Sequence, residues 1–146
     1  MKIVISDPKT GMSFQTELAK EKVSSLTGVR VGDSLDGGLV GASGYKLQVT
    51  GGSDKDGFPM RGDVKGARKA QVLISGGVGI RPSRKGEKRR KTVRGDGVSD
   101  AIAQLNTKVV EAGEKPLAEL FPKSEKAKEA GKEKEKGAGK KSQKKK

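Results

Sequence analysis

Apolar residues are concentrated before residue 122 and fall mostly in short runs of period two, separated by turn residues. Lys2 to Ser6 (KIVIS) is a β-rich run that stops at Asp7-Pro8 and Thr10-Gly11. Met12 to Leu18 then alternates, with Phe14, Thr16 and Leu18 on one face. Two such runs joined by a DPKTG turn predict a hairpin. Ala19, Val23 and Leu26 are spaced four and three apart, which predicts one or two helical turns ended by Gly28. Asp36-Gly37-Gly38 marks a turn. Tyr45 to Thr50 alternates again, Ala70 to Ser75 (AQVLIS) is the most apolar strand candidate, and Gln104 to Val110 presents Leu105, Thr107 and Val109 together. Pro116 opens a single helical turn, LAELF. Many short strands and 22 glycines predict a mainly β fold. It is read as a small barrel or a strongly curled antiparallel or mixed sheet, with one or two short helices. Closure would remove exposed strand edges.

The pattern changes at Pro122. Residues 123–146 contain no aromatic or β-branched residue and are dominated by Lys and Glu. The division is therefore a β-rich domain over 1–122 and a basic, disordered tail over 123–146.

Charge sharpens this division. The chain carries 32 Lys and Arg against 18 Asp and Glu, a formal net charge of +14. Residues 1–60 hold 7 basic and 7 acidic side chains and are neutral, whereas residues 61–95 hold 12 and 2, and the tail holds 11 and 4. The cationic field thus comes from one central block and one tail, and it points to a polyanion, nucleic acid before anionic membrane. No apolar run reaches membrane-spanning length and the N-terminus lacks a signal-peptide core, so a soluble, intracellular protein is expected.

Candidate chemistry is sparse. Cys and His are both absent, which removes disulfides, thiolate nucleophiles, imidazole bases and zinc sites built on either residue. Gly52 to Gly57 has the spacing of a phosphate loop, but Phe58 and Pro59 stand where Lys and a hydroxyl residue are required. The same stretch does not meet the calcium-loop pattern, and by its residues alone it reads as a tight turn. Arg61-Gly62-Asp63 and Arg94-Gly95-Asp96 each spell a cell-adhesion tripeptide and are treated as coincidence. No carboxylates are grouped as an acid–base pair, so no enzymatic activity is expected.

Arg81 to Gly95 (RPSRKGEKRRKTVRG) stands apart. Eight of its fifteen residues are Lys or Arg, Glu87 is its one acid, and Val93 is its one clearly apolar residue. With no hydrophobic face, it is expected to order against something densely negative. Only four aromatic residues occur in the chain, so base stacking is a poor explanation and backbone contact a better one. Binding to duplex DNA and a nuclear-import signal at KRRK stay open at this point.

GGSDKDGFPM (Gly51 to Met60) and RPSRKGEKRRKTVRG, in that order and spacing, resemble the signature segments of the ribosomal protein S6e family of the archaeal and eukaryotic small subunit. Gly113-Glu114-Lys115 and Asp36 to Gly41 extend the resemblance over most of residues 1–122, and the short form looks archaeal. The long serine-rich extension of eukaryotic members has no counterpart, since only Ser124 and Ser142 occur in the tail. The resemblance implies a structural component of the small subunit, cytoplasmic on the ribosome, that binds small-subunit rRNA beside neighbouring ribosomal proteins. It implies no catalysis, cofactor, metal, membrane or small-molecule substrate. It also recasts residues 51–60 as a functional loop near RNA. The expected RNA contacts are Lys55, Arg61, Lys65, Arg68, Arg81, Arg84, Lys85, Lys88, Arg89, Arg90, Lys91 and Arg94. The competing reading is a free nucleic-acid-binding module, an RNA chaperone or chromatin-like protein.

Overall fold

The computed structural model describes residues 1–113 and 115–121; Pro122 and the expected basic tail over 123–146 lie outside the described residues. Among the described residues, seven strands and two short helices follow one another. They are β1 (Lys2–Ser6), β2 (Ser13–Glu17), α1 (Lys20–Ser24), β3 (Ser34–Asp36), β4 (Lys46–Asp54), β5 (Lys69–Ile74), β6 (Arg89–Arg94), β7 (Ile102–Glu111) and α2 (Leu117–Leu120).

Five strands form one mixed sheet in the order β2-β1-β7-β4-β3, in which only the β1–β7 pair is parallel. The expected β1–β2 hairpin is present. Its turn is held by Asp7, whose carboxylate accepts bonds from the Lys9 N–H at 2.9 Å and the Thr10 hydroxyl at 2.8 Å. Period-two alternation places Ile3, Ile5, Phe14, Leu35, Leu47, Val49, Leu105 and Thr107 in the interior. Thr107 is tolerated there because its hydroxyl donates to the Val4 carbonyl at 3.1 Å. The core is completed by Val23 and Leu26 from the α1 region, Val40 from a 3-10 turn at Gly37–Val40, and Tyr45, Val98 and Leu117. Ala19, by contrast, is exposed. Tyr45 also donates its hydroxyl proton to the Lys115 carbonyl at 2.6 Å, tying the segment before α2 to the sheet.

The expected closed barrel is not found. β2 and β3 are the two edges of the main sheet, and the strands needed to join them, β5 and β6, form a separate antiparallel ribbon. That ribbon has its own small core of Val64, Ile74, Ile80 and Val93. A chain that spends two strands on a satellite core has too few left to close the first sheet. The curl survives in β4, whose pairing with β7 shifts register three times. β4 runs on to Asp54, beyond the expected end at Thr50, through Gly52, where a Cβ would stand 2.4 Å from the Gln104 carbonyl oxygen.

Two strands were not legible in the pattern. β3 is only three residues long. β6 lies inside the basic stretch, where four of its six residues are cations and the apolar alternation is missing.

Candidate nucleic-acid interface

The basic stretch is in large part folded. Its second half is β6, paired residue for residue with β5 from Lys69↔Arg94 to Ile74↔Arg89. Opposed residues of an antiparallel pair share a face, so Ala70, Val72, Ile74 and Val93 look into the satellite core. Leu73 and Arg90 share the opposite face, and both are exposed. Leu73 keeps 62% of its surface in water, so the most apolar strand candidate is not an interior strand.

Residues 75–88 connect β5 to β6 and are held at two points. Near the start, the guanidinium of Arg61 donates from Nη1 to the Val78 carbonyl at 3.0 Å and from Nη2 to Asp63. Ile80 then turns back into the satellite core. Near the end, the Glu87 carboxylate accepts bonds from the Ser83 N–H at 2.8 Å, the Arg84 N–H at 3.3 Å and Arg89 Nε. The Ser83 amide first, then Arg89, hold this carboxyl below the usual glutamate range.

Residues 51–61 fasten the ribbon to the main sheet. Asp54 ends β4 and starts a tight turn, donating its N–H to the Phe58 carbonyl and accepting at its own carbonyl from Gly57 N–H. The chain returning from the turn runs beside β6, with Arg94 N–H donating to the Pro59 carbonyl and Arg61 N–H to the Arg94 carbonyl, each at 2.9 Å. The Asp54 carboxylate, 3% exposed as a residue, accepts from Arg94 Nη1 at 2.8 Å. Arg94 Nη2 reaches the Ser99 hydroxyl at 3.1 Å. Lys69 adds a third connection, bonding Asp56 and lying 5.4 Å from the centre of the Phe58 ring. The turn reading of residues 54–58 therefore stands, and the motif acts as a joint between two sheets.

At Gly95 a Cβ would stand 1.8 Å from the Gly66 carbonyl oxygen, so only glycine allows the 64–67 turn to close on this segment. Asp96 then accepts the Gly66 N–H at 2.7 Å from a nearly buried position. Both tripeptides of the adhesion type are consequently structural: Arg94 and Asp96 are buried, and Arg61 pairs with Asp63.

The twelve expected contacts thus separate by environment. Arg81, Arg84, Lys85, Lys88, Arg90 and Lys91 are exposed on the ribbon and its connection, and none of their side chains pairs with an acid among the described residues. Arg89 is exposed and bonded to Glu87. Lys65 and Arg68 are exposed at the base of the ribbon, with Lys65 Nζ 4.0 Å from Asp96. Lys55 is exposed elsewhere, lining an open groove of about 730 Å³ with Lys2, Glu17, Val23 and Asp100. The side chains of Arg61 and Arg94 are occupied by internal partners and are 15% and 11% exposed. Sequence reasoning passed over Lys69 and the organising part played by Glu87; the signal for the latter was one acid retained in an otherwise cationic run. Among the described residues no three acids gather to hold a metal ion, and no helix is long and apolar enough to cross a membrane.

The family profile described as ribosomal protein S6e matches residues 1–122. A small ribosomal subunit protein eS6 of Methanothermobacter thermautotrophicus is 54% identical over 120 residues, covering 82% of this chain and 94% of the relative. Proteins of the same name from Methanocella arvoryzae and Methanocaldococcus jannaschii are each 50% identical, over 86% and 82% of this chain and 88% and 89% of their own lengths. With a profile spanning all but its last 24 residues and archaeal relatives at this identity, the chain belongs to the ribosomal protein S6e family.

Proposed function

We propose that this protein is a structural, non-enzymatic constituent of the cytoplasmic small ribosomal subunit. Its β5–β6 ribbon, the 75–88 connection and the basic segment 123–146 hold the phosphate backbone of small-subunit rRNA. The observation that carries the reading is the set of six exposed cations on the ribbon and its connection whose side chains pair with no acid among the described residues, in a chain whose first 60 residues are neutral. Such a cluster repels itself in a free protein, and phosphates relieve the repulsion while released counterions drive association. Lys65 and Arg68 extend the cationic surface to the base of the ribbon. Arg61 and Arg94 serve it indirectly, by fixing the connection and the joint. Relatives named as small ribosomal subunit proteins support small-subunit rRNA as the polyanion and its protein neighbours as the further partners.

The test is a salt titration of binding to purified small-subunit rRNA. Replacing Arg84, Lys85, Arg90 and Lys91 with alanine should weaken binding and reduce the log–log salt slope by up to about 3–4, at roughly 0.9 per lost phosphate contact. An unchanged slope would place the interface elsewhere. Equal competition by duplex DNA would favour a free nucleic-acid-binding module instead.

A further inference from the structure

Glu87 is the one acid in the densest cationic stretch of the chain, and its position is a puzzle for a phosphate-binding arm. A negative charge there repels the ligand and removes one unit from the local field. Counting charge alone, its loss should strengthen RNA binding. The geometry argues the opposite. Its Oε2 accepts the backbone N–H groups of Ser83 and Arg84, and its Oε1 accepts Arg89 Nε. Its own N–H donates to the Arg84 carbonyl at 3.2 Å, closing the turn from the other side. The Glu87 side chain is only 21% exposed, and Arg89 lies against it, so little of its charge faces an incoming phosphate. One carboxylate therefore joins the beginning of the turn to the first residue of β6. Arg84, Lys85 and Lys88, whose side chains pair with no acid among the described residues, sit on the turn so defined.

We infer that Glu87 is a positioning residue: it pre-orders the 83–89 turn in the free protein so that the flanking cations meet a preset arrangement of RNA phosphates. The inference rests on the reading of the ribbon as the RNA-binding element. Ordering the turn before binding removes a conformational cost from the association step, and the benefit exceeds the repulsion of a single screened carboxylate.

Charge counting and pre-ordering predict opposite signs, which makes the test decisive. Full-length wild type, Glu87→Ala, Glu87→Gln and Arg84→Ala/Lys85→Ala are titrated with purified small-subunit rRNA over a salt series. Amide hydrogen exchange at Ser83 and Arg84 is followed in the free proteins. Glu87→Ala is expected to bind about three- to tenfold more weakly although its net charge has risen by one, and to lose protection at both amides. Glu87→Gln keeps an oxygen for the two N–H groups and should recover much of the affinity and the protection. Glu87→Ala binding as tightly as wild type or tighter, or unprotected Ser83 and Arg84 amides in wild type, would overturn the inference while leaving the arm in place. An unchanged affinity and salt slope for Arg84→Ala/Lys85→Ala would overturn the arm itself, and the role of Glu87 with it.

Discussion

Asp54 and Arg94 are 40 residues apart in the chain and meet across the joint between the two sheets. With Asp54 nearly buried, removing one partner leaves the other charge without compensation in a poorly solvated place. Asp54→Ala should therefore destabilise the protein by about 3–5 kcal/mol in a denaturant melt. A change below about 1 kcal/mol would show the pair to be solvated and incidental. Glu87 invites a different measurement at the same scale. Its carboxyl titrates below the ordinary glutamate value of 4.5 because the folded turn donates hydrogen bonds to the charged form. A value depressed by folding means that the turn's stabilisation is complete above the ordinary range and is lost as pH falls through the lowered value. The Ser83 and Arg84 amide signals should accordingly shift with a midpoint below 4.5, and a midpoint at or above it would deny the hydrogen bonds.

At the scale of elements, the β5–β6 ribbon carries the cations and depends on four buried apolar side chains. Ile80 reaches that cluster from the connection, so it secures the connection as well as the strands. Ile80→Ala should cost about 2 kcal/mol or somewhat more, the range for truncating a buried isoleucine. The loss should be local: faster amide exchange in β5 and β6, with β1, β4 and β7 unaffected. Equal acceleration in the main sheet would mean that the two clusters unfold as one. The β1–β2 hairpin, β4 and β7 were legible because each alternates apolar and polar residues over a half-buried surface. β6 was not, because the pairing that makes it a strand comes from β5 and its outward side chains are charged.

For the whole molecule, the division between a neutral sheet and a cationic ribbon governs behaviour in solution. Attraction between exposed cations and phosphates is screened within about 10 Å at 0.1 M salt and about 3 Å at 1 M. The endogenous protein should sediment with small subunits at low salt and leave them at high salt. Appearance only in the post-ribosomal supernatant at low salt would contradict a place in the particle.

Charge sign, the missing imidazole and thiol chemistry, and the lack of stacking aromatics follow from residue identity alone, because none of them depends on where a residue lies in space. Strand alternation is nearly as local, and it reveals which segments have a buried side. Pairing is a matter of distance, and distances across 40 residues belong to the tertiary structure. Arg90 and Arg94 lie in the same run of RRKTVR, yet one is exposed and the other is enclosed with Asp54 and Ser99. Whether the sheet closed into a barrel was decided in the same way, when β5 and β6 found a core of their own. The fold thus selected which of the many cations are free to meet a polyanion.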